Sequence, residues 1–297
     1  MNRLGLRHIL CPIDFSPLSA EALATGGAMA RARDAELRTV HVIPAAGAAE
    51  PEGIGSLEHQ SFMSRLRAAL SDAAPAYRRT GAAVRQGDPA TQILRVARMM
   101  PADLIVIGAP GADRPERPTG PVSSVVVARS QCPVLTVPAH SSSSGPKQTG
   151  LFSRIVCAVD PTPSSAGVIR QALSLGWETQ GQLTCVCVAD KDEAAMASAM
   201  RDVLLAAIPR DASSWCRTDV IVTTGVAGSE IVRVAAELNA DLVVIGAPRR
   251  WMSTTHAVLS RSICPVLVPH DGRPLPWPAV REPLARSSLR GVDSGHE

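Results

Sequence analysis

Two nonapeptides constrain this chain more than any other feature. Ala102-Asp103-Leu104-Ile105-Val106-Ile107-Gly108-Ala109-Pro110 returns as Ala240-Asp241-Leu242-Val243-Val244-Ile245-Gly246-Ala247-Pro248, with Val243 for Ile105 the sole difference. Each is followed by Cys-Pro-Val-Leu, at Cys132–Leu135 and Cys264–Leu267, and preceded by an apolar run ending in Asp, Ile9–Asp14 and Ile155–Asp160. Matched segments in the same order make this a duplicated domain. The spacing between matched residues falls from 146 at Asp14/Asp160 to 138 at Gly108/Gly246 and 132 at Cys132/Cys264. The second copy has therefore lost residues in two places. The later loss follows Gly246, where the first copy carries a glycine-rich loop, so the copies are expected to differ in function.

Each copy is long enough to bury its own core. The first, to Ala139, has 15 basic and 12 acidic residues, and the second, from Leu151 to Pro269, has 10 and 11. Neither balance marks a polyanion-binding face, which excludes nucleic acid as a partner on charge alone. No apolar run reaches the ~18 residues of a membrane span, and Met1-Asn2-Arg3-Leu4-Gly5 lacks the apolar core of a signal peptide. A soluble, cytoplasmic protein is expected. Of the seven cysteines, Cys11/Cys157 and Cys132/Cys264 occupy repeat-equivalent strand positions, the pattern of reduced core residues. Cys185 and Cys187 alternate on one strand and share a face, but no second ligand cluster accompanies them, so no metal site is expected.

The apolar periodicity gives a strict alternation. His8–Ile13 reads as a strand, and Ser16-Pro17 as the N-cap and first residue of a helix, repeated at Thr162-Pro163. Second strands follow at Leu37–Ile43 and Leu183–Ala189. Phe62, Leu66, Ala69 and Leu70 have helical spacing, as do Met196, Met200, Val203 and Leu204. Weaker strands at Ala82–Arg85 and Asp219–Thr223 lead to helices carrying Ile93, Val96 and Ala97, matched by Ile231, Val234 and Ala235, with Asp88-Pro89 as a cap in the first copy. Leu104–Ile107 is continuously apolar, as in a parallel strand buried on both faces. A helix over Pro121–Arg129 and a strand over Val134–Val137 complete a β-α-β-α-β-α-β-α-β unit, which implies a parallel sheet with right-handed crossovers. The expected division is a domain over 1–139, a linker over 140–150 rich in Ser and Gly, a second domain over 151–270, and a Pro- and Arg-rich disordered tail over 271–297 in which Trp277 is able to dock on the body.

In an open α/β sheet, ligands bind beyond the carboxyl ends of the strands, where strand order reverses. That selects Asp14, Val42 and the loop from Gly108 through Gly111 to Gly120, which runs into a helix at Pro121-Val122-Ser123. Glycines let the backbone approach an anion, and a helix start attracts phosphate. Glycines also serve helix connections, so both readings stand at this point. A dinucleotide-binding turn is excluded, because Asp14-Phe15-Ser16-Pro17 has no glycine, and so is a P-loop, because no Gly-Lys-Ser/Thr occurs. A phosphoacceptor domain wants a lysine after its last strand, and the first copy contains no Lys at all. His41 reads as a packed core histidine, and Asp160 as a strand terminator. No nucleophile–base pair is legible, and no enzyme is expected.

Together the strand-end Asp14, Gly87-Asp88-Pro89, the Asp-Leu-Ile-Val-Ile-Gly strand, the glycine loop and the closing Cys-Pro-Val-Leu resemble the universal stress protein family, over residues 7–138 and again over 153–269. The resemblance implies two tandem adenine-nucleotide-alpha-hydrolase-like (Rossmann-like) domains, each a five-stranded parallel sheet flanked by helices. It implies ATP in the first domain, with phosphates over Gly108, Gly111, Gly120, Val122 and Ser123, and ribose and adenine at Asp14 and Val42. It also implies pairing of the two domains through their last strands as an internal pseudo-dimer, a homodimer, and a protein partner in stress regulation. The loop departs from the family's Gly-x2-Gly-x9-Gly-Ser/Thr, with eight residues between Gly111 and Gly120 and Pro121 in place of Ser or Thr. In the second copy Arg249 replaces the second glycine and no third appears before Cys264. Its site is expected to be dead, filled by Arg249 or Trp251. The alternative for the whole chain is a ligand-free interaction module of the same fold.

Overall fold

In the computed structural model, which describes residues 6–44, 57–73, 77–109, 120–138, 152–162, 165–176, 179–189, 194–246 and 254–270, the apolar runs form the strands of one sheet. The first half runs β1 (His8–Pro12), α1 (Pro17–Arg33), β2 (Glu36–Ile43), α2 (Leu57–Ala73), β3 (Thr80–Gln86), α3 (Pro89–Met99), β4 (Leu104–Ala109), α4 (Pro121–Arg129) and β5 (Val134–Pro138). The second half runs β6 (Arg154–Ala158), α5 (Ser165–Gly176), β7 (Gln182–Ala189), α6 (Ala194–Ala207), β8 (Arg217–Thr224), α7 (Ala227–Glu237), β9 (Leu242–Ile245), α8 (Thr254–Arg261) and β10 (Val266–Val268). The strands expected to be weakest, β3 and β8, are longer than their apolar cores. Edge pairing carries them, since β3 pairs with β2 over seven residues and β8 with β7 over eight.

Strand order is β3-β2-β1-β4-β5-β10-β9-β6-β7-β8. Pairing is parallel throughout each half and antiparallel at the one junction between them, where Val266, Leu267 and Val268 face Thr136, Leu135 and Val134. Leu135 and Leu267, the last residues of the two Cys-Pro-Val-Leu segments, are thus register partners, and a pseudo-twofold axis passes between them. Thr136 Oγ1 adds a bond to the Val266 carbonyl at 3.2 Å across this seam. Each strand covers what would otherwise be an open edge of its partner's half. Antiparallel joining also sends the carboxyl ends of the two half-sheets in opposite directions.

Strand alternation sorts the core into two layers. Ile9, Cys11, Leu37, Leu104 and Val106 pack with Leu23 and Met29 of α1 and Leu66 of α2, while Leu10, Val40 and Ile105 pack with Ile93 and Val96 of α3 and Val126 of α4. Local signals start α1 and α3 as expected, whereas α5 begins at Ser165, and Pro163 of the matching Thr162-Pro163 lies outside the described residues. Ser16 caps α1 by accepting from the Ser19 amide, and Asp88 caps α3 by accepting from the Thr91 amide at 2.9 Å. Gly87 and its equivalent Gly225 hold φ of 127° and 132°, a backbone state that favours glycine.

The repeated nonapeptide owes its Asp to folding. The Asp103 carboxylate accepts from the Arg7 and His8 amides at 2.8 and 3.0 Å, tying β4 to the start of β1. Buried Asp241 does the same for β6, accepting from the Ser153 and Arg154 amides and the Ser153 hydroxyl. A serine two residues before each Cys-Pro is a further repeat: the Ser130 hydroxyl bonds the Cys132 carbonyl and accepts from its amide, and Ser262 brackets Cys264 identically. The linker and the tail expected at 140–150 and 271–297 lie outside the described residues.

Candidate functional site

Strand order reverses between β1 and β4, so the crevice at the carboxyl end of this sheet opens there. Asp14, Val42 and Gly108 end the three adjacent strands β1, β2 and β4. Gly120, Val122 and Ser123 begin α4, which follows β4. Gly111, with Arg114 and Arg117, lies outside the described residues.

Exposed Asp14 shapes the turn into α1. Its Oδ1 accepts from both the amide and the hydroxyl of Ser16, at 3.0 and 2.5 Å, and its own amide donates to Ser19 Oγ at 3.4 Å. Partial burial pulls the Asp14 carboxyl up, but the bonds from Ser16 and Ser19 outweigh it and hold the group below the ordinary aspartate range. Between them Phe15 sits at φ 63°, a left-handed conformation costly for a bulky side chain.

Val42 is buried on the α3 and α4 layer, opposite Arg85 on β3. Its neighbour His41 points into the other layer, with Nδ1 2.8 Å from the Ile13 carbonyl oxygen, so it is the packed, hydrogen-bonded histidine expected. Around it stand Phe15 and Phe62, with ring centroids 4.8 and 4.5 Å from the imidazole, and the Arg65 guanidinium 3.9 Å over the Phe15 ring. Sequence reasoning treated Phe62 as a plain core position and passed over Arg65. The available signal was scarcity, since two of the chain's three phenylalanines meet here.

The glycines divide by cause. A Cβ on Gly108 would lie 2.7 Å from the Leu18 carbonyl oxygen, so the close packing of α1 on β4 requires that glycine. At the equivalent Gly246 the nearest atom among the described residues is Val168 Cγ2 at 3.5 Å, and Ser164, the counterpart of Leu18, lies outside them. Gly120 is different. Its φ of −49° suits any residue, and among the described residues the nearest atom to a Cβ there is Ser123 Oγ at 3.9 Å. Pro121 takes the first helical position, where it lacks an N–H, while the first helical bond runs from the Ser124 amide to the Gly120 carbonyl. The helix itself offers no partner to the Val122 and Ser123 amides. The Ser123 hydroxyl donates back to the Gly120 carbonyl at 3.0 Å, as Thr255, its equivalent on α8, donates to the Gly246 carbonyl at 3.5 Å. That hydroxyl serves the fold in both halves.

In the second half Asp160 accepts from the Thr162 and Ser165 hydroxyls at 2.6 and 2.8 Å, which is the terminating role expected of it. Arg249 and Trp251 lie outside the described residues. Among the described residues no cluster of His, Cys, Asp or Glu is arranged to hold a metal ion, and no helix is long and apolar enough to cross a membrane.

A half-sheet of order 3-2-1-4-5 with helices on both faces, a strand-end aspartate and a glycine before the fourth helix defines a tandem Rossmann-like α/β protein. The model of the universal stress protein family matches residues 5–138 and 151–270, and the chain belongs to that family. It is similar to a universal stress protein from Archaeoglobus fulgidus DSM 4304, at 21% identity over 90% of this chain and 100% of that one, with a TM-score of 0.67. It is also similar to a putative universal stress protein from Pseudomonas aeruginosa UCBPP-PA14, at 18% identity over 90% and 94% of the two chains, with a TM-score of 0.61. No curated protein matches it.

Proposed function

We propose that the first half is a weak ATP-binding module of a stress-response regulatory protein, a binding protein in which any hydrolysis is incidental. Gly120 carries this reading. Among the described residues nothing in the backbone or packing requires glycine there, and the missing Cβ leaves open the approach to the Val122 and Ser123 amides, which the helix does not bond. Such a helix start suits a phosphate. Gly120, Val122, Ser123 and, in the loop, Gly111 would hold the phosphates through backbone, with Asp14 accepting from the ribose and Val42 against the adenine. Pro121 removes one amide from this set. Losing one charge-assisted bond costs ~1.5–3 kcal/mol, or about one to two decades of affinity.

A second reading, an interaction module without a ligand, is favoured by the structural roles of Gly108, Asp14 and Ser123, each occupied by a contact within the protein. Calorimetry separates the two. The ATP reading expects detectable binding at millimolar nucleotide and ~10-fold tighter binding by Pro121→Ser. No heat from either protein overturns it and leaves the interaction module.

A further inference from the structure

A cavity of about 750 Å³ lies at the opposite end of the first half from the candidate site, between the last turns of α3 and α4. Its floor is apolar, from Leu94, Ala97 and Ala128, and Arg98, Arg129 and His270 stand on its rim. Five of these residues belong to the first half. His270 comes from the second, because antiparallel joining at β5 and β10 delivers the end of β10 to this place. Its imidazole Nε2 lies 3.4 Å from the Val127 carbonyl oxygen on α4, which fixes where the chain leaves the sheet. The sequence then continues from Asp271 to Glu297 through Arg273-Pro274-Leu275-Pro276-Trp277-Pro278.

We propose that this C-terminal segment is the occupant of the groove, with Trp277 seated on the Leu94–Ala128 floor beside Arg98 and Arg129. Three arguments converge. Alternate prolines favour an extended polyproline conformation, in which the residues from His270 to Trp277 reach ~22 Å at ~3.1 Å each, enough to lie along the exposed turn of α3. A segment preformed in this conformation loses little entropy on docking. Indole is the side chain that combines a large apolar body with affinity for a guanidinium over its face. Attachment at the rim makes docking intramolecular, which outcompetes a free ligand of the same chemistry. A segment held there ties the two halves together at a second place, away from the seam.

The test uses the full-length chain with a photoreactive benzoyl-phenylalanine at position 277, irradiated in dilute solution and mapped by mass spectrometry. The proposal expects adducts within one chain, on residues 94–102 or 128–132. Adducts elsewhere, none, or cross-links between two chains overturn it. Amide exchange gives an independent reading: in full-length Trp277→Ala, peptides over 94–102 and 128–132 exchange several-fold faster while Ile13–Ser19 is unchanged. Unchanged exchange at the groove overturns the assignment as well.

Discussion

Gly108 and Leu18 meet backbone to backbone: a Cβ on the glycine would stand 2.7 Å from the leucine's carbonyl oxygen. The contact seats the first turn of α1 on the end of β4, and the protein makes it without a ligand's help. Gly108→Ala is therefore expected to destabilise the chain by ~1–3 kcal/mol, the cost of overpacking, with or without nucleotide. Gly120→Ala is expected to leave stability within ~1 kcal/mol while lowering ATP affinity at least tenfold. Denaturant unfolding and calorimetry on both variants check this. A Gly120→Ala protein that unfolds early and binds normally contradicts it.

Asp241 is buried with two amides and a hydroxyl donating to it, and removing it orphans those donors. Asp241→Ala is expected to cost ~3 kcal/mol in urea unfolding, and Asp103→Ala, which frees two amides, ~2 kcal/mol. Equal and negligible losses would show that the repeated Asp-Leu segment is not a clamp.

All seven cysteines are buried. Burial pushes the Cys216 and Cys264 thiols up to about 11, and raises Cys11 further. Cys157, hydrogen-bonded to Cys185 and buried, is raised as well. A thiol titrating near 11 is ionised to about one part in a thousand at pH 8. Native protein should resist alkylation over hours and take up seven equivalents on unfolding. Rapid native labelling of Cys11, Cys132, Cys157 or Cys264 would refute this.

The Asp88 cap carries a pH signature. Bonds from the Thr91 hydroxyl and amide hold its carboxyl below the ordinary aspartate range. A depressed folded value means the cap is complete above the unfolded value, near pH ~4, and fades as pH falls through the lower folded one. The Thr91 amide resonance should titrate with a midpoint below that of an unstructured aspartate, and the transition should vanish in Asp88→Asn. A midpoint at or above the ordinary value rules the cap out.

The fold was legible because its signals are local and repeated. Continuous Leu, Ile and Val in β4 and β9, Ser-Pro and Asp-Pro helix starts, and two Cys-Pro-Val-Leu segments each report on their own few residues. What the site residues do was less legible, since it depends on neighbours distant in sequence. Gly108 reads as a phosphate glycine until Leu18, ninety residues earlier, is seen against it. The Ser123 hydroxyl reads as a ligand until the Gly120 carbonyl receives it. The meeting of Phe15, His41, Phe62 and Arg65 is a product of packing between β2 and α2, which no spacing rule encodes.

Across an axis that joins identical chains, every substitution enters twice and must be tolerated on both sides. Fusing the two halves ends that coupling. Leu135 and Leu267 still face each other at the axis, yet Asp88 caps α3 where Val226 stands before α7 without a side-chain cap. The seam preserves one symmetric contact and leaves each end of the sheet to change alone, so a chain built from two like halves presents two unlike faces.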